Sequence, residues 1–328
     1  MISIKTFSRK HLSLISLHND GYRKNGGFGF SISEPSLIIS GDITSKFEII
    51  DYRKNGFTEE QKIKLIEILE NIYTKKRFTQ QCIIEIKGDV PSHKGFGSGT
   101  SIRLACVELL YLLNKSLYTP TEIVKESLRG GTSGIGINTY FKGGFVFDIG
   151  HSERNNIFLP SNALETSEHV YPLVLLEENM PNWDIGICIP NNISSLSEKE
   201  EKIFFQETCP IEPHQSYESL YHIVFGLIGA IKENNIEVFA KALQNLQNSK
   251  WKDSERNIYK GNIQVVEQKL YDCGALGVGM SSLGPSLFFI GKDMDKIISK
   301  SKKLLPDCKI FKTKTNNSGR IILNNGNS

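Results

Sequence analysis

The chain has 328 residues, enough for two domains, and its 39% hydrophobic and 23% charged content is that of an ordinary globular core. A net charge of +3 with no basic run argues against nucleic acid as a partner. The cysteines (Cys82, Cys106, Cys188, Cys209, Cys273 and Cys308) form no C-x-x-C pair, which argues against a zinc or dithiol centre and suits a reducing cytoplasm.

The opening MISIKTFSRKHLSLISLHND has no uninterrupted apolar stretch, so no signal peptide is expected. The longest apolar helix candidate, Leu220 to Ile231, contains His222 and falls short of the roughly 20 residues that cross a bilayer. A cytoplasmic protein without membrane contact is expected. SLIISGDITSKFEIID, Ser36 to Asp51, reads as strands with a turn at Gly41-Asp42. TEEQKIKLIEILENIYTKK reads as a helix capped by Thr58, with apolar positions at Ile63, Ile66 and Leu69. QCIIEIKG is a strand, DVPSHKGFGSGT a loop and SIRLACVELLYLLNK a helix. TPTEIVKESLR is a helix with Thr119 as cap and Pro120 in its first position.

RGGTSGIGINTYFKGG, Arg129 to Gly144, follows, and then the strand GFVFDIG. Six of those sixteen residues are glycine, which leaves a phosphate cradle, a catalytic loop or a flexible crossing as readings. Beyond a polar passage come the strand WDIGICIP and the helices SLSEKEEKIFFQE, YESLYHIVFGLIGAIKENN, IEVFAKALQNLQNS and NIQVVEQKLYDCGA. GVGMSSLGPSLFFIG is a Gly-rich turn into a strand, followed by a helix from Met294 to Leu305 and a strand pair. Without strict β-α-β alternation the pattern is α+β, with a boundary near residues 155 to 170. Trp183, Phe204 and Phe205 read as core, and Ser197 to Glu201 as a helix start whose acids favour the dipole rather than bind metal.

GFGSGTS, Gly95 to Ser101, lies between a strand and a helix, so its backbone N–H groups and the helix dipole form an anion site. It lacks the Gly-Lys-Ser/Thr of a Walker A loop and the spacing of a dinucleotide fingerprint. PSHKGFGSGTSIRLA resembles the second motif of the GHMP kinases, P-x-x-x-G-L-G-S-S. GALGVGMSSLGPSLFFI (Gly274 to Ile290) is similar to their C-terminal glycine motif, and GGFGFSISEP (Gly26 to Pro35) falls at their first conserved strand. The R-G-G-T-S-G-I-G string, with FVFDIGHS, MPNWDIGICIP, SLSEKEEKIFF and GMSSLGP, resembles the β-ribofuranosylaminobenzene 5′-phosphate synthase family of that superfamily.

The resemblance implies a two-domain α+β fold: a ribosomal-S5-domain-2-like unit over 1–160 and a ferredoxin-like unit over 161–328. It implies PRPP-dependent decarboxylating C-ribosyl transfer to 4-aminobenzoate or 4-hydroxybenzoate, with Mg²⁺ on the departing pyrophosphate, as an early step of methanopterin formation. A dimer is the default homo-oligomer. An ATP-dependent GHMP kinase and a non-catalytic ligand-binding protein remain as alternatives. Mevalonate-type kinases carry S-G-I-D where this chain has Ser133-Gly134-Ile135-Gly136, so the kinase carboxylate is absent. The synthase reaction tolerates that absence, because carbon dioxide leaves in place of a proton.

Under the synthase reading, Gly95, Gly97, Ser98, Gly99 and Thr100 cradle the departing phosphates. Gly130, Gly131, Thr132, Ser133 and Gly134 form a second nest for the ribose or its 5-phosphate, or else pack closely against the first loop. His93 and Lys94 flank the phosphate loop, and His93 is placed with the substrate-binding residues. Arg23, in GYRKNGGFG, falls where the family's pattern is R-x-D-G-G and is the expected partner of phosphate or carboxylate. His151 matches G-H-S and is expected to meet the benzoate carboxylate or act as an acid–base group. Asn25 and Ser16 stand where the family is expected to carry Asp, and Asp20 does not align cleanly. Asp148 reads as a turn or site residue, and Arg103 as a salt-bridge residue.

Overall fold

The computed structural model describes residues 1–19, 21–152, 158–160 and 171–324. Asp20 and most of the polar passage expected at the domain boundary lie outside the described residues. Two sheets share one continuous hydrophobic cluster, which runs from Ile4 and Phe28 of the first to Ile187 and Phe288 of the second.

The first sheet is built around a long hairpin, β1 (Ile2–Ser16) and β2 (Asn25–Thr44). On its far side β2 pairs with β5 (Phe145–Asp148) over its first half and with β4 (Gln81–Gly88) over its second. The short strand β3 (Glu48–Asp51) runs parallel to β4, and β6 (Val174–Glu178) pairs with β5. The free edge of β1 is taken by β11 (Ile321–Asn324). The second sheet has the order β10 (Cys308–Lys314), β7 (Asp184–Pro190), β9 (Leu287–Ile290), β8 (Gly277–Met280). Strands on both sides of residue 160 therefore share the first sheet: β6 and β11 belong with β1 to β5.

Three local expectations are corrected. No turn falls at Gly41-Asp42, because β2 pairs continuously with β4 from Leu37 to Thr44 and the chain turns only after it. The terminal strands are no pair: β10 joins β7 and β11 joins β1. The glycine-rich stretch is not all loop, since Ile135–Lys142 forms helix α4, with Ile135, Ile137 and Tyr140 buried.

The helix α1 (Glu59–Lys76) has the capping box expected of Thr58. Its buried stripe is Leu65, Leu69 and Ile72, and Ile63 faces solvent. The phosphate-loop helix α2 (Ser98–Leu113) packs on β1 and β2 and carries the fully buried Glu108. Helix α3 (Pro120–Glu126) has the expected Thr119 cap. The second half adds α5 (Glu198–Thr208) and α6 (Pro213–Tyr221), which continues through a π-helical stretch (His222–Ile228) into α7 (Gly229–Lys232). It also holds α8 (Ile236–Gln247), α9 (Lys250–Asn257), α10 (Asn262–Asp272) and α11 (Met294–Leu304). Trp183 and Phe205 are buried as expected, and Phe204 packs against Trp251. Among the described residues no helix is long and apolar enough to cross a membrane.

Candidate active site

A cleft of about 210 Å³ opens where β1, the phosphate loop, the 129–136 stretch and the Ser282–Gly284 turn meet. Helix α5 closes one wall with Glu198, Glu201 and Phe205. The phosphate loop enters α2 through Gly97, whose φ of +74° is left-handed and which offers the first turn no side-chain cap. The N–H groups of that turn thus lack the oxygen that usually satisfies them, and the positive end of the helix faces the cleft. Two contacts fix the loop. Arg9 N donates to Phe96 O at 3.0 Å, and Ser281 Oγ donates to Gly95 O at 2.6 Å. Behind it the buried Asp51–Arg53 pair supports Ser92, with Arg53 Nη1 3.2 Å from Ser92 Oγ.

His93, Gly95, Gly97, Ser98, Gly99, Thr100, Gly130, Thr132 and Ser133 all line the cleft, so most of the two expected cradles converge. Their roles differ from simple anion nests. Thr132 Oγ1 donates to Leu159 O at 2.8 Å. Gly134 N donates to Asp148 Oδ2 at 3.0 Å, so that N–H serves the buried carboxylate rather than the cleft. Gly131 and Gly134 are buried behind the lining. Lys94 Nζ donates to Ile193 O at 2.6 Å, which ties the loop to the second half of the chain.

Arg23 and His151 do not line the cleft. Arg23 donates from Nε to Ile149 O and from Nη2 to Gly150 O, both at 2.9 Å, so its fork is spent on the backbone after β5. His151 is buried, bridges Lys24 through its backbone and takes a 3.3 Å hydrogen bond at Nε2 from Asn25 Nδ2. Ser16 Oγ donates to Arg23 O at 2.6 Å. Ser16 and Asn25, found where acids were expected, therefore brace Arg23 and His151. Arg103, one turn into α2, also stands outside the cleft lining.

Sequence reasoning missed the side chains that β1 brings. Arg9 and His11 sit two residues apart on the strand and both line the cleft. A bulge in the β1–β2 pairing between His11 and Ser13 locally re-aims the strand there. His11 Nε2 is 3.1 Å from Ser133 Oγ, which lies 3.4 Å from Asp148 Oδ2, so β1, the 129–136 stretch and β5 meet in one polar chain. Burial, with Arg9 and Lys252 nearby, holds the His11 pKa well below its usual value, so the ring is neutral. Burial pushes the Asp148 carboxyl up to about 7, against hydrogen bonds from Gly150, Gly134 and Ser133 and the charge of Arg23. Burial lowers Arg9 to about 10, with Glu201 opposing, so the guanidinium stays charged at neutral pH. The signal was present in SRKHLSLIS: cationic residues inside an otherwise alternating strand have to face something.

The fold is shared with solved structures. Homoserine kinase from Cytophaga hutchinsonii superposes with a TM-score of 0.70 at 17% identity, covering 98% of this chain and 97% of the other. L. major mevalonate kinase in complex with R-mevalonate gives 0.66 at 13% identity, with 96% of each chain covered. Residues 59–142 match the GHMP kinases N terminal domain. A beta-ribofuranosylphenol 5'-phosphate synthase from Methanothermobacter thermautotrophicus is 33% identical over 292 residues, 88% of each chain. The chain belongs to the beta-ribofuranosylphenol 5'-phosphate synthase family.

Members from Methanocaldococcus jannaschii (29% identical; 97% of this chain, 99% of the relative) and Archaeoglobus fulgidus (30%; 88% of each) bear the same name. As a beta-ribofuranosylphenol 5'-phosphate synthase-type enzyme it is a pentosyltransferase on a GHMP kinase fold, acting on small molecules. The family expected from the motifs is thus found, under a name that specifies a phenol rather than an aminobenzene.

Proposed function

We propose that the chain transfers the 5-phosphoribosyl group of PRPP to the carboxylate-bearing ring carbon of a para-substituted benzoate. The bond from the anomeric carbon to the pyrophosphate oxygen breaks with its electron pair leaving on pyrophosphate. A ring π pair forms the new carbon–carbon bond, and the electrons of the ring–carboxylate bond restore aromaticity as carbon dioxide departs. The phenol in the relatives' name favours 4-hydroxybenzoate over 4-aminobenzoate as acceptor. The same chemistry suits an early step of methanopterin formation.

The observation that carries this reading is an uncapped helix N-terminus facing a cleft in which position 136 supplies no carboxylate. Fixed N–H dipoles stabilise charge that develops on a leaving phosphate, and no base is needed at a carbon that loses carbon dioxide. Among the described residues no group of three or more His, Cys, Asp or Glu could hold a metal. Glu198 and Glu201, read from the sequence as serving only the helix dipole, instead face the cleft and offer the oxygen donors magnesium prefers, which fits an ion carried chiefly by the diphosphate. Bound there, the ion would neutralise charge on the leaving group.

The test is incubation with PRPP, Mg²⁺ and carboxyl-labelled 4-hydroxybenzoate or 4-aminobenzoate, and in parallel with ATP and candidate alcohols. Release of labelled carbon dioxide is expected, faster with the hydroxy acid. ADP formation without it identifies a kinase. Neither product identifies a binding protein.

A further inference from the structure

Arg9 is anchored by its backbone to the phosphate loop, and its guanidinium lies across it. A Cβ added at Gly97 would stand 2.9 Å from both Cγ and Nε of Arg9. On the other side, a Cβ at Gly136 would stand 3.8 Å from Arg9 Nε and 3.4 Å from Thr100 Cγ2. The guanidinium therefore occupies the gap between the α2 N-terminus and position 136. Its Nε and Nη1 are enclosed, yet have no hydrogen-bond partner among the described residues. A buried charged donor without an acceptor costs several kcal/mol and calls for an explanation. The groups around it sharpen the point. Lys10 and His11 adjoin it, and Glu201 is the carboxylate acting on it. Such a group suits an anion that arrives from solution.

We propose that Arg9 is the charged receptor for the diphosphate at the phosphate loop, and that glycine at position 136 keeps its Nε and Nη1 unpaired. A planar fork beside a row of helix N–H groups matches two phosphoryl oxygens at once. A carboxylate at 136 would reach the guanidinium, pair with it and take the place of the anion. Arg9 is then a catalytic residue for the transfer, because it touches the group that leaves. This identification rests on the ribosyl-transfer reading, but the binding itself is tested without the reaction.

Inorganic pyrophosphate, with and without Mg²⁺, is titrated calorimetrically into the full chain and its variants. Arg9→Met should weaken binding about 10- to 100-fold, the range of a charged hydrogen-bond pair. Arg9→Lys should recover part of the loss. Gly136→Asp should weaken binding comparably, and it should add little to the Arg9→Met variant. Gly136→Ala should bind within about threefold of wild type, because its methyl makes only ordinary contacts. Arg9→Met should also melt no lower than wild type, since the enclosed Nε and Nη1 have no partner to lose. A structural arginine would give the opposite result, so a clearly lower Tm overturns the proposal. It is equally overturned if wild type fails to bind pyrophosphate, or if Arg9→Met and Gly136→Asp bind it like wild type. Labelled carbon dioxide release with pyrophosphate binding indifferent to Arg9 would sink this inference alone. Arg9-dependent binding without any release would sink the ribosyl-transfer reading alone.

Discussion

Replacing Arg320 by Met tests what holds the phosphate-loop helix to the end of the chain. Glu108 of α2 is fully buried, and its carboxylate takes Arg320 Nε at 3.1 Å on both oxygens and Nη2 at 2.6 Å. The hydroxyls of Tyr118 and Tyr140 complete the shell at 2.7 and 2.6 Å. Without Arg320 those two hydroxyls remain but the countercharge is gone, and a buried charge stripped of its partner costs about 3–5 kcal/mol. Glu108→Gln should cost less, because Arg320 keeps 22% of its side-chain surface in contact with water and can stay solvated. Urea denaturation of wild type, both single variants and the double variant gives the coupling, expected at 2 kcal/mol or more. If Arg320→Met loses under about 1 kcal/mol, or the two changes simply add, the pair is a surface contact and the reasoning fails.

Other outcomes follow from the same geometry. The Asp148 carboxyl titrates near 7 in the folded chain and near 4 when unfolded, so between those values only the folded chain holds the proton. Stability then falls as pH rises across that window, by about 1.4 kcal/mol per pH unit from this group. The difference in urea midpoint between wild type and Asp148→Asn should track pH from 4 to 7, and a flat difference would contradict the buried carboxylate. Gly95→Ala should destabilise by more than about 1 kcal/mol, because Gly95 has φ +80° and a Cβ there collides with the Ser281 carbonyl. Gly99→Ala, whose nearest neighbour would be Arg129 Nη2 at 3.8 Å, should melt close to wild type. Equal melting temperatures for the two would show that Ser281 does not clamp the loop.

Locally encoded features could be read before folding. Thr58 with Gln61, Thr119 with Pro120 and the alternation of QCIIEIKG each carry their own signal, and all three became the expected elements. The glycine loop entering α2 was legible as a strand-to-helix junction for the same reason. Helix α4 was hidden because its residues, with Gly134 at the cap and Gly136 in the first turn, gain helicity by burying Ile135, Ile137 and Tyr140 against the sheet. Arg23 looked like an anion partner, since nothing in GYRKNGGFG reveals that the carbonyls of Ile149 and Gly150 fold back onto its fork. Arg9 and His11 were overlooked for the complementary reason. Strand alternation tells which residues share a face, whereas the partner of that face is decided by residues more than a hundred positions away.

The threading of the last strands has a consequence during synthesis. Residues 2–5 of β1 wait for residues 321–324 before their outer backbone groups are paired, and β7 likewise waits for residues 308–314. At about 5–20 residues per second a ribosome leaves the β1 edge open for tens of seconds and the β7 edge for roughly 6–24 seconds. An open edge is a template for pairing with another chain, so nascent copies are exposed to intermolecular strand capture until residues 321–324 emerge. Removing residues 321–324 therefore acts on strand β1, the carrier of Arg9 and His11, although those residues lie some three hundred positions away in sequence.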